Sequence, residues 1–352
     1  MRAATTVEGS TVADLRELGD FVVEAERLGL DACWVAEAWG SDAPSLLGYL
    51  AARTSTLLLG SGILQVGIRT PAAVAQTAIT LSNLSGGRFR LGLGASGPQV
   101  IEGLHGLPFA RPLVRMRETV EIVRRLASGE RLAYSGSAYE IPLAGSSARP
   151  MRLSVRPEHP IPLYLASMSP GMLRLTGEVA DGWLGTSFVP EGAGEAYFRY
   201  LDEGLAASGR TRDTLDVCQG AEIALFDDED DLRRHVADRR RELAFSLGGM
   251  GSTERNFYNE AYSRQGWAET AQLVRERWLA GEREQAADLV TDEMVLATTL
   301  IGTEQMVRDR LATWCSLGVD TVRLYPAGHD RDERLRNLAR GVELVHATVR
   351  PA

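Results

Sequence analysis

Short apolar runs and amphipathic stretches alternate along this chain in a recurring order of strand, loop, helix and strand. Ala3–Val7 is a weak first strand. Leu15, Leu18, Val22, Ala25 and Leu28 follow at steps of three and four, which sets them on one helical face. Gly29 ends that helix. Ala32–Val35 is a second strand, Ser45–Ala52 a helix, and Leu57–Leu59 opens a third strand running to about Leu64. Pro71 begins a helix through Leu84, in the first-turn position that proline favours. The turn Ser85-Gly86-Gly87 leads into a fourth strand, Phe89–Leu93, whose apolar run suits burial on both faces.

The same rhythm continues. Val114–Leu126 is a long helix. Residues 130–160, rich in Gly, Ser, Pro and Tyr, form an excursion that fits a hairpin. Leu163–Ala166, Gly182–Thr186 and Val217–Leu225 are the fifth to seventh strands. Residues 228–298 are charged and helical, a large insertion before the last unit. Met306–Leu317 is a helix stopped by Gly318, and Thr321–Tyr325 is the eighth strand. Strands that each carry helical material need a parallel sheet under helical cover. Eight such units closing on themselves give a (β/α)8 TIM barrel, here one domain over residues 1–352 with insertions at 130–160 and 228–298; an open doubly wound sheet is the alternative. In a barrel, function sits on the loops at the carboxyl ends of the strands.

With 352 residues, 44% hydrophobic and 24% charged, the composition is that of a globular protein with a large core. The net charge of −9 argues against nucleic acid as a partner, and Arg239-Arg240-Arg241 alternates with acidic residues as a solvated helix face does. Cys33, Cys218 and Cys315 lie far apart without CxxC spacing, which fits reduced thiols better than disulfides or zinc. The start Met-Arg-Ala-Ala-Thr-Thr has no signal pattern, and no apolar run reaches about 18 residues. The expectation is a cytoplasmic protein off the membrane, with no metal, because the five histidines scatter without ligand spacing.

Four rim segments carry candidate chemistry. Gly92-Leu93-Gly94-Ala95-Ser96-Gly97 matches G-x-G-x-x-G after a strand. Backbone N–H groups there suit a phosphate, and Glu118 stands downstream at the distance of a ribose contact. Its place in the fourth unit favours a cofactor-lining loop over a dinucleotide fold, and a ligand-free tight turn is the plain alternative. Ser61-Gly62-Ile63-Leu64-Gln65 reads, on residue types alone, as an ordinary strand end. In Ala166-Ser167-Met168-Ser169-Pro170, Ser169 is a helix N-cap with Pro170 behind it; the cap alone and a phosphate held by both serines are equally good readings. Glu37 and Trp39 follow the second strand, where Glu37 either pairs with a loop arginine or serves a cofactor ring or a proton. His105 lies in the loop after the fourth strand, as a structural histidine or a proton carrier.

At these residues the sequence resembles the luciferase-like oxidoreductases, and within them the branch that uses the deazaflavin coenzyme F420. The stretches are GLDACWVAEAWGSDA, GSGILQVGIRTPAAVAQTA, SGGRFRLGLGASGPQVIEGLHGLPF, PLYLASMSPGMLRLTGEVADGW and GGMGSTERNFYNEAY, from roughly residue 12 to 325. The resemblance implies a non-proline cis peptide at Gly62–Ile63, against which the deazaflavin ring rests. It implies a cofactor tail along Gly94, Ala95, Ser96, Gly97 and Gln99, and a phosphate at Ala166, Ser167, Met168 and Ser169. Trp39 and Gln65 would border the cofactor, and Glu37 or His105 would handle a proton. Relatives that oxidise sugar phosphates carry a histidine where this chain has Ala38, which puts that substrate in doubt.

The implied activity is hydride transfer between F420 and a small organic molecule. An FMN-dependent monooxygenase of the same fold and a non-catalytic cofactor-binding barrel are the rivals. A homodimer is expected, with Phe257, Tyr258, Tyr262 and Trp267 as an apolar face for it or for packing the insertion onto the barrel.

Overall fold

The structure, a computed structural model, describes residues 1–9, 14–252 and 254–349; Thr253 of the GGMGSTERNFYNEAY stretch therefore lies outside it. In chain order the strands are β1 (Arg2–Val7), β2 (Ala32–Val35), β3 (Leu58–Ser61), β4 (Leu64–Gln65) and β5 (Phe89–Gly94). A hairpin of β6 (Tyr134–Ser135) and β7 (Glu140–Ile141) follows, then β8 (Leu163–Ala166), β9 (Gly182–Leu184), β10 (Asp216–Leu225), β11 (Leu300–Gly302) and β12 (Thr321–Pro326). The ring β1-β2-β3-β5-β8-β9-β10-β12 is parallel throughout, and β12 pairs back to β1. This is the closed (β/α)8 barrel, and closure rules out the open doubly wound sheet.

Local chemistry explains the elements. Every residue of β2 is buried, as a strand covered on both faces requires. Asp14 caps the helix Leu15–Arg27, whose Leu18, Phe21, Val22 and Ala25 face the sheet. Thr70 caps the helix Pro71–Leu84, with proline in its first turn. Inside the barrel, Trp34 meets Tyr164 edge-on at 4.9 Å, with Ala4, Ala32, Leu184 and Cys218 around them. At the amino end of the strands Asp216 accepts from Tyr164 at 2.7 Å and Thr321 at 3.0 Å, and pairs with Arg2 at 2.8 Å. That network closes one end of the cylinder and leaves the carboxyl rim for ligands.

Three features depart from the sequence reading. The third strand does not run unbroken to Leu64: it stops at Ser61 and resumes as β4 beside β5. The strand β11 was not expected; it pairs with the far half of β10. Glu118 makes no ribose contact, because its carboxylate accepts the backbone N–H groups of Ser137, Ala138 and Tyr139 and so pins the excursion that carries β6 and β7. The 228–298 stretch folds as helices Glu229–Gly248, Phe257–Tyr262, Ala268–Leu279, Arg283–Asp288 and Asp292–Ala297. They share a core of Val236, Leu247, Val274 and Met294 that reaches Ala224 and Ile301 of the barrel. Among the described residues no helix is long and apolar enough to cross a membrane.

Candidate functional site at the barrel mouth

The break in the third strand organises one half of the mouth. The Gly62–Ile63 peptide is cis, as the resemblance implied. Past it, Gln65 lies in register with Gly94, and Gly94 in turn with Ala166. The glycines of β5 make room for the bulge. A methyl group on Gly92 would stand 1.9 Å from the Ser61 carbonyl oxygen, and one on Gly94 2.6 Å from Ile63 Cγ1. Ser61 Oγ both donates to Gly92 O and accepts from Gly92 N, each at 2.9 Å. The first two glycines of G-x-G-x-x-G therefore serve packing. The third differs: Gly97 has no atom within 4 Å of an added Cβ, and Ser96 before it sits at φ +60. This is open backbone, of the kind an anionic or polar ligand can approach.

Glu37 is locked in place. Arg69 donates to both its oxygens, at 2.5 and 2.7 Å, and the Ala43 N–H adds a third bond at 3.2 Å. Of the two sequence readings of Glu37, this is the pairing with a loop arginine. Gln65, 1% exposed, donates to the carbonyls of Glu37 and Ala38 at 3.3 and 3.2 Å, while its Oε1 is buried without a partner. Trp39 is 63% exposed. His105 is exposed on the loop after β5, with its backbone N–H on Val100 O at 3.2 Å. Neither is tied by a side-chain hydrogen bond to the rim among the described residues.

At the end of β8, Ser167 is buried; its hydroxyl shares a 2.8 Å bond with Thr176, and its carbonyl accepts from Trp183 Nε1. Ser169 is the N-cap residue and Pro170 follows it, but the Ser169 side chain makes no capping bond, so the cap reading holds for position only. Met168 packs against the core, and its carbonyl accepts from Arg264 at 2.6 Å. Arg264 Nε is buried and unpartnered. Sequence reasoning missed Arg264. It lies 96 residues from Met168, within the charged insertion, and nothing in its local pattern set it apart.

The other half of the mouth lies under the helical insertion. A cavity of about 270 Å³ is bounded by Thr186 just past β9, by Gly220 and Glu222 within β10 and Tyr325 of β12, and by Arg239, Glu242, Tyr258 and Tyr262 of the insertion. Glu222 accepts from His235 and Arg239, each at 2.7 Å. The aromatics expected as a dimer face are otherwise engaged: Tyr262 is 3% exposed and stacks on Trp267 at 5.9 Å, and Tyr258 lines the cavity. They pack the insertion onto the barrel. The three cysteines are buried and unpaired, and no cluster of three metal-ligating side chains occurs among the described residues.

Comparison with known proteins agrees with this architecture. The family model for luciferase-like monooxygenases matches residues 2–321. The chain is 37% identical, over 91% of its length and 92% of the relative's, to a Mycobacterium tuberculosis protein assigned as a coenzyme F420-dependent oxidoreductase. It is 31% identical, over 93% and 94%, to the 5,10-methylenetetrahydromethanopterin reductase of Archaeoglobus fulgidus. Its fold matches the coenzyme F420-dependent tetrahydromethanopterin reductase of Methanopyrus kandleri with a TM-score of 0.77, at 22% identity and 96% and 97% coverage. A sequence match over almost the whole barrel, joined to a closed ring of parallel strands, makes this chain a member of the luciferase-like monooxygenase family.

Proposed function

We propose that this chain is a coenzyme F420-dependent oxidoreductase that moves a hydride between the deazaflavin and a small organic substrate at the barrel mouth. One observation carries the reading. Gly62–Ile63, Gln65, Gly94 and Ala166 stand side by side on adjacent strands, with Ser96, Gly97 and Ser167–Ser169 extending from them. The residues fit the group. Gln65 Oε1 and Arg264 Nε are buried polar atoms without partners, and Gly97 leaves open space where a side chain would intrude.

In this reading Ile63 backs the ring and Gln65 and Trp39 border it. Gly94, Ala95, Ser96 and Gly97 line the tail. Ala166, Ser167, Met168 and Ser169 hold the phosphate with Arg264, whose guanidinium adds the positive charge that the serines lack. The deazaflavin supplies the hydride chemistry when bound. The protein orients one face and keeps water out. Glu37 is a fixed carboxylate that positions Arg69 and the 37–43 loop, and His105, with no side-chain bond among the described residues, carries the proton. The whole chain works as one domain, in the cytoplasm, as a homodimer. Ala38 stands where the relatives that oxidise sugar phosphates carry a histidine, which argues against a sugar phosphate as the substrate.

The test is a spectroscopic titration with F420 and FMN, repeated on Gly97→Asp and Ser167→Asp. Tight F420 binding that both acidic substitutions abolish is the expected result. Binding of FMN alone, or variants that bind F420 like the parent, overturns the reading. Sedimentation at two concentrations checks the dimer.

A further inference from the structure

We propose that the cavity beneath the helical insertion is the substrate pocket and that it reads a hydroxyl group: a neutral ring compound is held there by its hydroxyl, between the Glu222 carboxylate and the Tyr325 hydroxyl. The word substrate rests on the F420 reading; the hydroxyl site does not.

Glu222 and Tyr325 lie in register on the neighbouring strands β10 and β12. Cys218, Gly220 and Glu222 alternate along β10 and so share a face. That face is the inside of the barrel, where Cys218 packs with Trp34 and Tyr164. The Tyr325 hydroxyl lies over Gly220, since a methyl group there would stand 2.2 Å from it. The carboxylate and the hydroxyl therefore face the same space, and both residues are walls of the cavity.

Their own bonds leave capacity for a ligand. His235 and Arg239, one turn apart on the helix Glu229–Gly248, donate to different oxygens of Glu222, each at 2.7 Å. They fix the carboxylate without filling it, because a carboxylate offers about four acceptor sites. The hydroxyls of Tyr325 and of Tyr258 beside it make no hydrogen bond among the described residues. A ligand hydroxyl donates and accepts at once, so it can donate to Glu222 and accept from Tyr325. An ether or a carbonyl can only accept, and leaves Glu222 unanswered. An anion is refused. The walls carry two carboxylates, Glu222 and Glu242, and their one arginine, Arg239, is bonded to both. Leu243, Phe245 and Val295 supply apolar contact for the frame, and about 270 Å³ admits a ring.

The place of the pair in the cylinder says which end of the substrate it holds. In the ring of eight strands β10 stands opposite β3, and β12 opposite β5. Glu222 and Tyr325 thus lie across the mouth from the Gly62–Ile63 bulge and Gly94. The hydroxyl is a handle at the end of the substrate away from the deazaflavin, and the reacting carbon is a different one. The insertion joins the two halves: Arg264 donates to the Met168 carbonyl, and Gln265 next to it donates at 2.7 Å to the carbonyl of Ser187, a cavity wall.

The experiment uses the full chain without cofactor. Benzyl alcohol and cyclohexylmethanol are titrated by ligand-observed NMR, each beside its methyl ether, its aldehyde and its carboxylate. The expected result is at least one alcohol bound about tenfold or more tightly than its ether and its aldehyde, with the carboxylate weakest. Glu222→Leu should level alcohol and ether, and Glu222→Gln, which keeps a neutral acceptor, should retain part of the preference. Tyr325→Phe should weaken alcohol, ether and aldehyde alike and leave their ratios in place, which a general loss of structure would not do. Alcohol and ether that bind alike, a carboxylate that binds as well as the alcohol, no binding of either alcohol, or a preference that survives in Glu222→Leu overturns the proposal. Should Glu222→Leu not fold, an unchanged ratio in Glu222→Gln overturns it. F420 titration on the same samples is read separately. F420 binding without an alcohol preference rejects this pocket alone; an alcohol preference without F420 binding rejects the cofactor reading alone.

Discussion

A glycine that a neighbouring side chain leans on does not tolerate a methyl group. Gly94→Ala would press Cβ to 2.6 Å from Ile63 Cγ1, so it should lose about 1–3 kcal/mol in a urea melt and weaken F420 binding by moving the bulge. Gly97→Ala meets no atom within 4 Å and should leave the melt unchanged. The two glycines belong to one motif, and the melts separate packing from ligand approach. Glu37→Gln breaks an ion pair whose side chains are 7% and 19% exposed, and should cost about 2–3 kcal/mol. It should leave turnover largely in place, whereas His105→Gln, which removes the proposed proton carrier, should lower kcat; steady-state kinetics check both. At this scale the sequence showed which residues reach the mouth, because strand ends are readable from pattern. It did not show their partners. Arg69, Thr176 and Arg264 lie 32, 9 and 96 residues from the groups they bind, and no local period reports such pairings.

Helix ends carry part of the pH response. Glu26, near the end of the helix Leu15–Arg27, accepts the N–H groups of Ser55, Thr56 and Leu57 just before β3. Desolvation pushes its carboxyl up, but the three N–H groups outweigh that and hold it below the usual carboxylate range. A carboxylate held low stabilises the fold above its unfolded value and loses that contribution as pH falls through the folded one. Glu26→Gln should therefore lower the denaturation midpoint at pH 7 and have no effect once the parent carboxyl is protonated; melts across the acid range check this. The eight barrel strands were legible because each is a buried run followed by an amphipathic helix. The third strand misled because Ile63 and Leu64 resume the apolar run of Leu57–Leu59 after only Gly60, Ser61 and Gly62, too short a gap to read as a break. β11 escaped because three residues carry too little period to stand out beside the helical charge pattern of residues 228–298.

For the molecule as a whole, burial decides the chemistry of the thiols. Desolvation pushes both Cys33 and Cys218 from 9.0 to about 12. A thiol raised in the folded state keeps its contribution below the unfolded value and loses it as pH rises between these limits. Stability should fall through that alkaline window, and native protein should react with a thiol reagent only as fast as it unfolds. Saturating cofactor works in the opposite direction, adding about 2.7 kcal/mol at a hundredfold excess over Kd, which a thermal shift with F420 measures.

The helical insertion leaves the barrel at Leu225 and returns as Leu300–Gly302, hydrogen-bonded alongside Ile223–Leu225 of the strand it departed from. Its two ends thus pass through a doorway one strand spacing wide, about 4.8 Å. A cassette held by a doorway that narrow is transplantable: it can be exchanged between relatives without asking the cylinder beneath to change its circumference, and selectivity for the reacting molecule would travel with it.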